Sequence, residues 1–200
     1  SRDAFSNVDG LTAQYASAFL EDREGNVWIG TTGGLHRFRH SRLTRVEFPR
    51  AANGFGIAAG DAGAMLVGID SSDGVFEVTG HSAVDLVSGP QSITCAYRDD
   101  DGVVWLGGRG RVWHFGGPGG TSQWTPIDVP IDRANADYYP VQAIAKDRAG
   151  GLWVSVVRGG VFRLVDGQWS RFGDPALSLA AGRRGQLWIG YPKSRIHLLD

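Results

Sequence analysis

One phrase recurs along this chain and leaves few folds open to it. In its fullest form it runs from Asp22 to Phe38. It has a turn with Asp22 and Gly25, a short apolar run of Val27, Trp28 and Ile29, a second turn, and a second run from Leu35 to Phe38. It returns around Asp99, Gly102 and Trp105, around Asp147, Gly150 and Trp153, and around Gly182, Gly185 and Trp188. A worn copy with Gly60, Gly63 and Leu66 stands between the first two. The anchors Trp28, Leu66, Trp105, Trp153 and Trp188 are spaced by 38, 39, 48 and 35 residues. A four-stranded propeller blade repeats at about 40–50 residues. Helical solenoids have similar periods but need helical patterning. Here the apolar runs are short and bounded by Gly, Asp, Asn and Pro, which favours strands.

Each repeat reads as four strands, A to D. Strands are predicted over 17–22, 26–31, 35–39 and 43–48, then 55–59, 64–69, 75–78 and 83–87, then 93–98, 103–107, 111–115 and 123–127. They continue over 141–146, 152–157, 161–165 and 168–172, and end with 177–181, 186–191 and 195–199. Asp22 suits the start of the A–B turn through its side chain, and Gly25 suits its left-handed position. Strands B and C are apolar on both faces, as expected of strands covered on both sides. The fifth repeat lacks a fourth strand. Outer strands share an apolar pair three apart followed by Gly or Pro, as in Leu43/Val46 and Trp169/Phe172; Phe5/Val8 near the N-terminus repeats that spacing. The expectation is one all-β domain over 1–200, a β-propeller of five four-stranded repeats at about 13–48, 53–87, 92–127, 141–172 and 177–199, the last blade completed by the N-terminal strand at 3–8. Such closure hides sheet edges. The other reading is an open fragment of a larger ring.

The 200 residues carry a formal net charge of −1, so no basic surplus points to nucleic acid. The single Cys95 excludes an internal disulfide. Set among Ile93, Thr94 and Ala96, it reads as a buried structural thiol. No apolar run of about 18 residues marks a membrane span, and no signal peptide is present, so an exported protein has had its targeting segment trimmed. The histidines His36, His40, His81, His114 and His197 show no zinc spacing, and Asp99 to Asp101 read as a turn cap with solvated charge rather than a calcium loop. No metal and no cofactor is expected. The once-per-repeat Trp/Leu anchors read as inter-blade core in preference to an aromatic sugar-binding array.

The loops are more informative, because repeats diverge there without damage to the core. The B–C loops contain Asp70 in the second repeat, Arg109 in the third, Arg158 in the fourth and Lys193 in the fifth. Arg109, Arg158 and Lys193 are expected to converge on one face, with Tyr138 and Tyr139 of the long 128–140 connection closing over them. Guanidinium forks suit carboxylate or phosphate, and Tyr rings suit a sugar face. Ordinary surface charge explains the same cations. A catalytic reading needs a base and an acid near one substrate, and its candidates are His114 with Glu77 or Asp70.

The repeat resembles the two-component regulator propeller repeat. The first copy carries the resemblance almost throughout, in Asp22, Gly25, Asn26, Trp28, Ile29, Gly30, Thr31, Gly34, Leu35, Arg37 and Phe38. The third, fourth and fifth copies match in part, the second in its Gly and apolar skeleton. The resemblance implies a periplasmic or extracellular ligand-sensing propeller, read as non-catalytic, and the loop residues point to a small-molecule or saccharide ligand. It also implies a covalently attached membrane span and histidine kinase or other output domain, and commonly seven blades. Streptogramin-type lyases have a related repeat, which keeps an enzyme reading open. A third reading is a structural propeller fragment that self-associates, as a homodimer for example.

Overall fold

A computed structural model describes residues 10–12, 15–39, 42–52, 54–70, 73–116, 123–182, 185–193 and 195–199. The architecture is all-β, a five-blade propeller of four-stranded antiparallel sheets. Every sheet is a meander in chain order. The chain divides into two compact units, Ser1–Ile93 and Thr94–Asp200.

The first unit holds two blades. Blade one is β1 (Ala16–Glu21), β2 (Val27–Thr31), β3 (Gly34–Arg39) and β4 (Arg42–Arg45); blade two is β5 (Phe55–Ala59), β6 (Met65–Ile69), β7 (Asp73–Thr79) and β8 (Ser82–Gln91). Trp28 and Leu35 of blade one pack with Phe55, Met65 and Phe76 of blade two in one buried cluster. All five residues of β6 are buried, the environment that its unbroken apolar run requires.

The second unit holds three. Blade three is β9 (Cys95–Arg98), β10 (Val104–Gly107), β11 (Arg111–Phe115) and β12 (Thr125–Asp128). Blade four is β13 (Val141–Lys146), β14 (Leu152–Val156), β15 (Gly160–Val165) and β16 (Gln168–Gly173). Blade five shows β17 (Ser178–Ala181), β18 (Leu187–Tyr191) and β19 (Arg195–Leu199). The expected fourth strand at 3–8 lies outside the described residues. One cluster joins blades three and four through Val112, Val154 and Phe162, and another joins blades four and five through Trp153, Leu187 and Ile189. The long connection into blade four contains a 3-10 turn, Arg133–Tyr138, opened by Asp132. No described helix is long and apolar enough to cross a membrane.

The predicted strands match the observed ones to within a few residues. The largest departure is β8, which runs on to Gln91 because residues beyond 87 continue to pair with β7, after a register shift near Val75.

Candidate functional site

The recurring phrase has one local geometry. In all five A–B turns the N–H of the first residue donates to the carbonyl four residues on: Asp22 to Asn26, Gly60 to Ala64, Asp99 to Val103, Asp147 to Gly151 and Gly182 to Gln186, at 2.7–3.0 Å. The fourth residue of each turn, Gly25, Gly63, Gly102, Gly150 and Gly185, takes φ between +76° and +87°. A side chain at such φ crowds its own backbone, so glycine stands at every copy.

Where the first residue is Asp, its carboxylate does two jobs. Oδ1 of Asp22 accepts from the N–H groups of Glu24 and Asn26, and Oδ1 of Asp99 from those of Asp101 and Val103. Oδ1 of Asp147 accepts from the Gly151 N–H. The other oxygen accepts from the indole N–H six residues on: Trp28 at 2.8 Å, Trp105 at 3.0 Å and Trp153 at 2.7 Å. The anchors sit at matching register, paired with Leu20, Tyr97 and Ala145 of their A strands. Sequence reasoning foresaw the turn and missed the indole acceptor. The signal was present in the constant six-residue separation and in the joint loss of Asp and Trp from the second repeat.

The inter-blade core reading holds for Trp28 and Trp153, which are 2% and 5% exposed. Leu66 is also buried, and Trp105 is half-buried against His114. Trp188 departs from it at 46% exposed. Its repeat has Gly182 in place of Asp, so that position offers no carboxylate to its indole.

Charge gathers around these brackets. Arg163 donates to Asp147 Oδ2 through Nε and Nη2 at 2.9 and 2.7 Å, and lies over the Trp153 ring at 5.4 Å. Lys146 bridges Asp99 and Asp101 at 3.0 and 2.8 Å. Burial pushes the Asp147 carboxyl up, but hydrogen bonds from Trp153, Gly151 and Arg163 outweigh it and hold it below the usual carboxylate range. Asp22 is lowered likewise, burial opposed by bonds from Trp28, Asn26 and Glu24.

The loop residues stand at the other end of the strands. The B–C loop of blade three is tied to the 128–140 connection: Arg109 bridges Pro140, its Nη1 donates to the Asp137 carbonyl at 2.8 Å, and Gly110 N–H donates to Tyr139 O. The B–C loop of blade four joins the same segment, because Val157 N–H donates to Pro140 O at 2.9 Å. The loops of Arg109 and Arg158 therefore meet through Pro140. Arg158 and Lys193 are exposed, each at φ +61°, and neither has an ion pair among the described residues. The Lys193 loop follows Tyr191, whose ring lies under Arg195 at 4.3 Å. Tyr138 is 61% exposed, whereas Tyr139 packs partly buried against the core of blades three and four. Asp70 belongs to the first unit, where its N–H donates to Gly54 O.

The catalytic candidates have bland surroundings. His114 lies against Trp105 at 5.1 Å, and burial alone lowers its pKa. Glu77 is an exposed residue of β7 in the other unit. Cys95 is a free thiol whose pKa is pushed up to about 12 by burial, against a weaker opposing bond from Gly107, so no thiolate forms near neutrality.

A family model described as Two component regulator propeller matches residues 10–33 and 88–110. Two segments of the chain thus match that repeat. Both matched segments are A–B turns with their flanking strands, the part of the regulator propeller repeat that holds the Asp–Trp bracket. No match to a curated protein was found. Among solved structures the chain is similar to catalytically inactive virginiamycin B lyase of Staphylococcus aureus with quinupristin, with a TM-score of 0.72 at 14% identity, covering 95% of this chain and 71% of that one. It is equally similar to the extracellular domain of a putative hybrid two component system of B. thetaiotaomicron, with a TM-score of 0.72 at 18% identity over 96% of this chain and 29% of that one. PorZ, a surface component of the type-IX secretion system of Porphyromonas gingivalis, gives 0.64 at 19% identity over 96% of this chain and 32% of its own. At these identities the likeness shows the fold alone.

Proposed function

We propose that this propeller is a non-catalytic ligand-sensing module of a two-component-type signalling protein, working outside the cytoplasm. The repeat match and the two-component structural neighbours support a signalling propeller. The observation that carries the sensing role is the division of labour within each blade. The Asp–Trp brackets and buried anchors commit one end of the strands to structure, while Arg158 and Lys193, exposed and without ion pairs among the described residues, stand on loops at the other end, where the Arg158 loop meets that of Arg109 at Pro140. The ligand on this reading is a small anion or an acidic saccharide, gripped by guanidinium forks. Tyr138 is an exposed ring on the connection whose Asp137 carbonyl accepts from Arg109, and Asp70 is the corresponding loop residue of blade two. Binding shifts two arrangements of an attached output domain only if the ligand has different affinity for them.

A thermal-shift panel of inorganic anions and saccharide acids, followed by calorimetry, tests the reading. The expected result is a member whose affinity falls at least about tenfold in an Arg109→Ala, Arg158→Ala double variant. No stabilising member, or a ligand indifferent to both substitutions, would remove it. The lyase likeness, at 14% identity, shows the fold alone and carries no second reading.

A further inference from the structure

At the loop end of blade four, Gly160 opens β15 at φ +119°, a conformation that favours glycine. A guanidinium lies across it: a Cβ there would stand 3.0 Å from Arg171 Nε and 3.4 Å from Arg171 Nη2. Arg158 stands two residues before this glycine, in a turn closed by the Gly159 N–H on the Val156 carbonyl at 3.0 Å. Arg171 belongs to β16, where it pairs with Phe162. The register shifts at that point, because the next pair is Val161 with Gly173, so β16 carries one extra residue. Bulges of this kind re-aim side chains beside sites. Paired residues share a face of the sheet, and Phe162 faces the core of blades three and four. Arg171 therefore stands on the side of the blade where the Arg109 and Arg158 loops meet at Pro140.

Blade two shows what such a glycine carries when charge is balanced. Phe76 and Phe162 hold the same place, each paired with the residue after its blade's anchor, Val67 and Val154. Two residues before Phe76 stands Gly74, at φ +128°. The outer-strand partner of Phe76 is Asp85, where that of Phe162 is Arg171. Asp85 takes Arg50 at 2.8 Å, and a Cβ at Gly74 would meet both, at 3.1 and 2.5 Å. In blade four the sign is reversed and the counter-charge is missing. Arg171 is exposed and has no ion pair among the described residues, which run without a break from 123 to 182 around it. Blade four thus presents two guanidiniums, Arg158 and Arg171, and no described carboxylate pairs with either.

We propose that Arg171 is a further binding residue of the loop site and that, with Arg158, it selects a ligand bearing two negative charges on one group, a phosphate monoester. The inference rests on the loop reading above and narrows its anion. A phosphate monoester has three acceptor oxygens and close to two charges at neutral pH, enough for two guanidinium forks, whereas a single carboxylate balances one. Free phosphate and a sugar phosphate share that chemistry.

Calorimetry on the full chain at fixed ionic strength uses inorganic phosphate and glucose 6-phosphate as probes, with glucuronate as the singly charged control. At least one phosphate binds, and the tighter one identifies the source. It binds at least about tenfold more tightly than glucuronate. Arg171→Ala and Arg158→Ala each weaken it at least about tenfold, as expected on loss of a charge-assisted bond. The affinity falls between about pH 7.5 and about pH 5, as a phosphate with a second pKa near 6 loses one charge, and falls less in Arg171→Ala. Arg171 is solvent-exposed, and an unaltered melting temperature confirms that its variant folds. Binding of neither phosphate, affinity no better than that of glucuronate, or indifference to Arg171→Ala overturns the inference. Affinity lost in the Arg109→Ala, Arg158→Ala double variant but kept in Arg171→Ala overturns it while leaving the loop reading standing. A phosphate that binds equally well to all the variants removes both.

Discussion

At Asp147 one carboxylate holds a turn N–H, an indole and a guanidinium, with its side chain 13% exposed. Removing it strands the Trp153 N–H and the Arg163 charge together. Asp147→Ala is expected to lower unfolding free energy by about 2–3 kcal/mol, read as a shift in the urea midpoint. An unchanged midpoint would show that the bracket contributes nothing net. The same carboxyls set an acid dependence. Asp22 and Asp147 are both lowered in the folded protein from the ordinary value of 3.8, so they contribute stability above it that is lost as pH falls through their folded values. The urea midpoint should therefore drop between pH 5 and pH 3, and drop less in an Asp22→Asn, Asp147→Asn double variant. An identical decline in both proteins would place the acid sensitivity elsewhere. The turn role of Asp22 and Gly25 was legible from residue type. The indole bond was not, because a strand residue's side-chain direction depends on a register that only the folded sheet sets.

In blade five the anchor stands without a bracket. Trp188 pairs with Ala180 and Leu198 at the same register as the other anchors but is exposed. A Cβ at Gly182 would lie 3.2 Å from Trp188 Nε1 and 3.1 Å from Gln186 Oε1, the latter a flexible side chain able to yield. Gly182 does not need positive φ. Gly182→Asp is expected to supply the missing acceptor, stabilise the protein by about 0.5–1.5 kcal/mol, and reduce the iodide-accessible share of Trp fluorescence. Unchanged quenching with lowered stability would mean that the tight approach to the Gln186 backbone outweighs the new bond. Strand positions were legible almost throughout, since glycine turns punctuate runs buried on both faces. The 3-10 turn at Arg133–Tyr138 was read as plain loop, because its short polar stretch has no periodicity to detect.

For the whole molecule, a ligand that binds only the folded state adds stability by mass action. At one hundred times its dissociation constant the gain is about 2.7 kcal/mol, or about 5–10 °C in melting temperature for a chain of this size. At the loop site an Arg109→Ala, Arg158→Ala double variant that binds about tenfold more weakly should cut the shift to about half at the same ligand concentration. An undiminished shift would place the ligand elsewhere on the propeller.

The blade count, the strand order within each blade and the turn chemistry were all written in the chain, because a propeller repeat is a local meander whose hydrogen bonds join neighbours in sequence. Which charges remain uncommitted was decided only in three dimensions. Asp147 lies in the A–B turn of blade four and Arg163 on β15, and only folding decides that Arg163 spends its charge on Asp147. Likewise Arg109 and Arg158 are 49 residues apart in the chain, and it is the carbonyl and backbone of Pro140 that bring their loops together.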